Sequence, residues 1–219
     1  MDQLEKIADQ IREDFDAQND ARDRALSQTR TLTRYCAHAI RAVHRMEREN
    51  AAAELDKAAK IVDMLCNTLK SDHPSLYFAG YTQDALKEYA EARIVYALVD
   101  DLALPTPGDL GLESATYLRG LAEAVGELRR RILDILRGGH SMEAELLLQH
   151  MDEIYAVLVT MDYPDAVTYG LRRQTDICRG IIERTRGDIT LSFRQQQLEQ
   201  TIRKAEENFL TANGEDSLP

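Results

Sequence analysis

Residues 77, 81, 84, 88, 91, 95, 98 and 102 recur at alternating steps of four and three. They are Tyr77, Tyr81, Asp84, Glu88, Glu91, Val95, Leu98 and Leu102. At about 100° per residue they share one face of a helix, with Glu88 and Glu91 about 60° apart on adjacent turns. That face is apolar at its ends and acidic in its middle. Leu86, Tyr89, Ala92, Ile94 and Tyr96 occupy the other faces, so the helix is expected to be central and its carboxylates shielded. Grouped, shielded carboxylates are costly unless a cation neutralises them. Mg²⁺ or Mn²⁺ suits such a site, because hard ions take oxygen ligands. The spacing leaves two plainer arrangements open: a solvated acidic stripe along a crevice, or carboxylates paired with arginine.

A second acidic pair, Glu123 and Glu127, lies on the segment 114–137. There Leu118, Leu121, Val125, Leu128, Ile132 and Ile135 form a clean buried stripe. Both glutamates fall roughly 130–170° from its centre by helical arithmetic, which predicts either a solvent-facing position or the wall of a water-filled cavity. A ferritin-like di-iron site also uses carboxylates inside a bundle, but it needs Glu-x-x-His. The residues three after Glu88, Glu91, Glu123 and Glu127 are Glu91, Ile94, Gly126 and Arg130, which excludes that chemistry. No phosphate-binding loop, dinucleotide fingerprint or nucleophile elbow is present. His73, His140 and His150 lack neighbours at ligand spacing and read as structural or exposed.

The chain of 219 residues carries a formal charge of −11, so attraction of the whole molecule to nucleic acid is not the default. The positive charge is segregated. Between residues 24 and 48 stand Arg24, Arg30, Arg34, Arg41, Arg45 and Arg48 against Glu47 alone. Arg34, Arg41, Arg45 and Arg48 follow helical steps, with His38 and His44 beside them. Arginine favours bidentate phosphate contacts, which makes Arg34, Arg41 and Arg45 candidate nucleic-acid contacts; ion pairing along an exposed helix is the plainer alternative. The absence of tryptophan and the scarcity of phenylalanine and tyrosine argue against a base-stacking platform.

The elements that position these groups are helices. Proline is rare, the segments between prolines are rich in helix formers, and no stretch alternates with period two. Six to seven long helices in one all-α bundle are expected. They run over 2–48, with a break or weak turn at 16–23, then 52–70, 75–104, 114–137, 141 to about 161, and 165–210. The last is expected to be interrupted at Arg186-Gly187-Asp188, with Asp188 capping a new helix. One helical domain over 1–213 and a disordered tail over 214–219 follow. No apolar run exceeds six residues, too short to span a membrane. The acidic, amphipathic start does not resemble a secretion signal. Cys36, Cys66 and Cys178 are isolated, which predicts a reduced, cytoplasmic chain without a zinc site.

Three segments, ALKEYAEA (85–92), YLRGLAEAVGELRRRILD (117–134) and MDYPDAVTYGLRRQTDICRGIIERTRGDIT (161–190), resemble the translin superfamily in their order and spacing. Within it the chain resembles the catalytic Trax-type subunit, since translin has mainly apolar residues where this chain has Glu88 and Glu91. The resemblance implies an all-α bundle assembling into a hollow homo-octamer, and a Mg²⁺-dependent endoribonuclease whose acidic site faces the interior. The E-Y-x-E-A motif maps onto Glu88 and Glu91, the acid of Y-L-x-G-x-A-[DE] onto Glu123, and the Glu of the following G-E-L onto Glu127. The chain has Glu at 123 where the eukaryotic subunit has Asp. The resemblance thus implies that Glu88, Glu91 and Glu123 hold Mg²⁺ or Mn²⁺ with Glu127 assisting, and that RNA, or single-stranded DNA, is the partner. The alternatives are a non-catalytic RNA- or DNA-binding oligomer and a purely structural one.

Overall fold

The structure, a computed structural model, describes residues 2–215, with side chains over 3–209. Six long helices carry the fold: α1 (Asp2–His44), α2 (Arg48–Met64), α3 (Gly80–Val99), α4 (Ser114–Leu136), α5 (Met142–Val159) and α6 (Leu171–Glu215). Among the described residues there is no strand. Helix α2 runs on through a π-helical turn, Leu65–Leu69, to Asp72, and short helices fill the loops at Pro74–Tyr77, Pro107–Leu110 and Asp165–Thr168. α1 packs on α2 and α3, α3 on α4, and α4 on both α5 and α6. Residues 214 and 215 close α6; the rest of the expected tail lies outside the described residues. No helix among the described residues is long and apolar enough to cross a membrane.

The expected all-α bundle stands, with different boundaries inside it. The third helix begins at Gly80 rather than at Ser75. His73 and Pro74 start a separate turn, and Ala79 is extended (φ −63°, ψ 143°). Two side chains of α3 fasten that turn: Thr82 Oγ1 donates to the Leu76 carbonyl at 2.7 Å, and Gln83 Nε2 to that of Tyr77 at 2.8 Å. The helix also stops at Val99, because Asp101 takes a left-handed conformation (φ 53°), which leaves Leu102 and Leu104 exposed. At its other junction, α1 ends at His44 with Met46 left-handed (φ 60°), and Arg48 opens α2 and pairs with Asp100 at 2.8 Å. The stretch 16–23 is the weak exposed turn rather than the break, and the interruption at 186–188 does not occur. α1 continues through 16–23, which lacks both proline and glycine, and buries Ala21 within that stretch and Ala25 just beyond it. α6 continues through Gly187, and Asp188 receives Arg129 of α4 at 2.9 Å instead of capping a helix.

Two arms extend beyond the packed region. Residues 3–20 of α1 are exposed except Ala8, and so are residues 191–209 of α6 except Ser192 and Gln196. Both carry apolar side chains in the open: Leu4, Ile7, Ile11 and Phe15 on one, Leu191, Phe193, Leu198, Ile202 and Phe209 on the other.

The contact that matters most for the site is between α3 and α4. A Cβ at Gly120 would lie 2.6 Å from the Cβ of Ala90, 2.8 Å from the Lys87 carbonyl oxygen and 3.0 Å from the Glu91 nitrogen. Only the absence of a side chain at 120 lets the two backbones meet. Gly→Ala in an exposed helix stabilises by up to about 1 kcal/mol. At Gly120 the sign should reverse, with a loss of about 1–3 kcal/mol from overpacking. Gly187, exposed on α6 with nothing within 4 Å of its added Cβ, should show the ordinary gain. Urea unfolding of Gly120→Ala and Gly187→Ala checks both signs.

Candidate metal centre

The α3–α4 contact sets the geometry of the carboxylates. Glu88 and Glu91 stand on adjacent turns of α3, and Glu123 follows Gly120 by one turn of α4. Each of the three offers a carboxylate oxygen, and these oxygens all lie within 4.8 Å of one another. Glu91 is buried at 8% exposure, while Glu88 and Glu123 are half-buried. Among the described residues no cation lies within ion-pair distance of Glu91. Burial, then the charges of Glu88, Glu123 and Glu127, push its carboxyl up to about 8 against the partial relief of Lys87. Burial and the same two α3 glutamates push the Cys36 thiol of α1 upward.

The charge is partly matched from within. Lys87 Nζ lies 2.6 Å from Glu123 Oε2 and 2.7 Å from its Oε1, and 3.4 Å from Glu88 Oε1. Burial works against the Lys87 ammonium, yet its hydrogen bond to Glu123 and the charges of Glu123 and Glu88 leave it held above its ordinary range. Gln174 of α6 donates to Glu123 Oε1 at 3.2 Å. Glu127, one turn further along α4, is held separately. The ring of His44, the last residue of α1, bonds to it with Nε2 2.5 Å from Oε2, and Arg130 approaches to 3.7 Å. The His44 bond keeps the Glu127 carboxyl below the ordinary range, against the effect of burial.

All four glutamates line one open pocket of about 480 Å³, with Ala37, Ile40 and Arg41 of α1 and Arg130 of α4. The placement of Glu123 and Glu127 away from the buried stripe of α4 is thereby explained: they face the pocket. Asp84, the third acid of the seam, does not join them; it is largely exposed and pairs with Arg119 at 2.8 Å. Of the candidate arginines, Arg41 is at the pocket. Arg45 lies in an adjacent groove that also contains Arg41, His38 and Glu54. Arg34 is exposed on α1, its guanidinium 5.7 Å from the Tyr35 ring centre.

Sequence reasoning missed Lys87 and Gln174, and the places of Arg130 and His44 at this site. The available signal for Lys87 was a lysine directly beside the acidic middle of the α3 seam. Gln174 and His44 are joined to the site by contacts that local spacing does not encode, whereas Arg130 stands three residues from Glu127 on the same helix.

The donors are all carboxylate oxygens, the set preferred by hard divalent ions, and Glu91 lacks a countercharge. The residues fit Mg²⁺ or Mn²⁺. Without metal, the raised Glu91 carboxyl has a defined effect on stability. Between the ordinary carboxyl range and about 8 the folded chain holds a proton that the unfolded chain has lost. Its contribution is therefore complete below about 4.5 and is lost as pH rises through about 8. Denaturant titrations in EDTA from pH 5 to 9 should show this decline, and Glu91→Gln should flatten it.

No protein-family model matches the chain. The uncharacterized protein MJ0175 of Methanocaldococcus jannaschii is 31% identical over 186 residues, covering 84% of this chain and 82% of that protein. Among solved structures, AfC3PO in complex with duplex RNA superposes with a TM-score of 0.79 at 30% identity, covering 86% of this chain and 97% of that one. A second structure of AfC3PO gives 0.79 at 29% identity, covering 86% of this chain and 98% of that one. Apo-NeC3PO shares the fold, at a TM-score of 0.77 and 20% identity. With about 30% identity to AfC3PO over 86% of this chain, the chain belongs to the C3PO/translin family.

Proposed function

We propose that this protein is a divalent-metal-dependent endoribonuclease of Trax type, cutting RNA in single-stranded or unpaired segments. The observation that carries the proposal is the meeting of Glu88, Glu91 and Glu123 within 4.8 Å in an open pocket that also contains Arg41 and Arg130. The duplex RNA in the AfC3PO complex supports RNA as the ligand. Glu88, Glu91 and Glu123 would hold Mg²⁺ or Mn²⁺, Glu91 giving up its proton as it does so. When bound, the ion supplies charge neutralisation at the scissile phosphate and a water of lowered pKa. His44 fixes Glu127 beside the donors as an ionised acceptor. Arg41 and Arg130 are placed to receive phosphate oxygens at the pocket's edge, with Arg45 and Arg34 continuing along α1. In-line attack by water leaves a 5′-phosphate and a 3′-hydroxyl, whereas a cyclic phosphate would mark attack by the 2′-hydroxyl and sink this mechanism.

A second reading has one specific observation in its favour. Lys87 already satisfies Glu123 and part of Glu88 without a metal, as a non-catalytic RNA-binding oligomer would allow. Assembly into a homo-octamer belongs to either reading, and the exposed apolar arms are the surfaces it would cover. Light scattering should then give a multiple of the 24.8 kDa chain mass, and a clean monomer would remove the assembly.

The two readings separate in one assay, cleavage of end-labelled single-stranded RNA with Mg²⁺ or Mn²⁺. Wild type should cut, and Glu91→Gln and Glu123→Gln should lose at least about 100-fold in rate, of order 3 kcal/mol in the barrier, while still binding RNA. Binding that survives EDTA, with no cleavage by wild type, would establish the non-catalytic reading. Arg41→Ala should weaken binding and reduce its salt dependence, with smaller effects at Arg34 and Arg45.

A further inference from the structure

The ammonium of Lys87 contacts the same carboxylates that form the metal centre. It touches both oxygens of Glu123, at 2.6 and 2.7 Å, and one of Glu88, at 3.4 Å. Its side chain is 11% exposed. Among the described residues it is the only cation within ion-pair distance of either glutamate. Of the neighbouring cations, Arg119 pairs with Asp84 and Arg130 with Glu127, and the Arg41 Nε donates to the Ala37 carbonyl. An ammonium has three donors and no acceptor, on a stem of four flexible methylenes. It satisfies carboxylate oxygens as a point charge and can leave without disturbing the backbone. Glu123 has both oxygens turned towards it, so those oxygens are shared between Lys87 and any other cation that enters.

From this placement we infer that Lys87 is a tethered competitor for the metal centre: its ammonium holds Glu123 and Glu88 together while no divalent ion is bound, and gives up those oxygens when one enters. The inference rests on the metal-centre reading above. Lys87 then does two things. It offsets repulsion between α3 and α4 in the metal-free chain, where Glu88, Glu91 and Glu123 converge. It also sets the affinity for the ion, because every binding event must displace the internal cation. The opposite role would be a positioning residue that steadies Glu123 for the ion. The two roles predict opposite signs for the affinity change when the charge is removed.

The test is Mn²⁺ binding to the full chain by titration calorimetry, with free Mn²⁺ followed by electron paramagnetic resonance, on wild type, Lys87→Met and Lys87→Arg. Lys87→Met keeps the stem and removes the charge, and should bind Mn²⁺ roughly ten-fold tighter, the scale of one contact charge in a partly solvated site. Lys87→Arg keeps the charge and should stay near wild type. In EDTA the Met variant should melt below wild type, and saturating Mn²⁺ should close that gap. A Met variant that folds only when Mn²⁺ is present, seen by circular dichroism, gives the same answer. Equal or weaker Mn²⁺ binding by Lys87→Met, or failure to fold at saturating Mn²⁺, overturns the inference while leaving the metal centre standing. Absence of Mn²⁺ binding in all three proteins overturns the metal centre itself, and the inference with it.

Discussion

The close approach of α3 and α4 at Gly120 and Ala90 is the constraint on which the site depends. Neither helix carries all three of the clustered carboxylates. The approach brings Glu123, one turn beyond Gly120, up to Glu88 and Glu91, which flank Ala90. Two small residues set the distance between the backbones, and the acids on either side inherit it. This gives a physical reason for the glycine in YLRG and the alanine in EYAE: they place the carboxylates without making any chemical contact of their own.

Electrostatics works against the same contact. Packing forces three carboxylates together, and burial makes their mutual repulsion expensive. The chain meets that cost in three ways. Lys87 neutralises Glu123 and part of Glu88, Glu91 retains a proton, and His44 with Arg130 draws Glu127 into a separate pair. The result is a pocket whose acidic groups are largely balanced by its own side chains.

Much of this was legible from residue order. The α3 seam exposed Glu88 and Glu91, because period and residue type act together on a single helix. The buried stripe of α4 located Glu123 and Glu127 on the opposite side, but periodicity gives an angle and not what lies across from it. Only packing shows that this side faces a carboxylate pocket. Residue spacing could place neither His44 nor Gln174, which are 83 and 51 residues from the glutamates they contact. The missed break at Phe78-Ala79 has a similar origin: the signal is a hydrogen bond from Thr82 back to Leu76, which composition does not announce. At Asp188 a strong local capping signal yielded to a partner on α4. The resemblance in the three quoted segments joined α3 to α4 where spacing alone left them as separate helices.

The two arms give α1 and α6 more than one local stability each. Most helical stability in proteins comes from packing of an amphipathic face. Residues 3–20 and most of 191–209 lack that packing, whereas Leu32 and Cys36 of α1 are fully buried, and Cys178, Ile182 and Ile189 of α6 nearly so. In a single chain, amide hydrogens of the arms exchange through local fraying, and those near Leu32 through global unfolding. Within α1 the protection must therefore rise steeply near Ala21, where one continuous helix passes from water into the bundle.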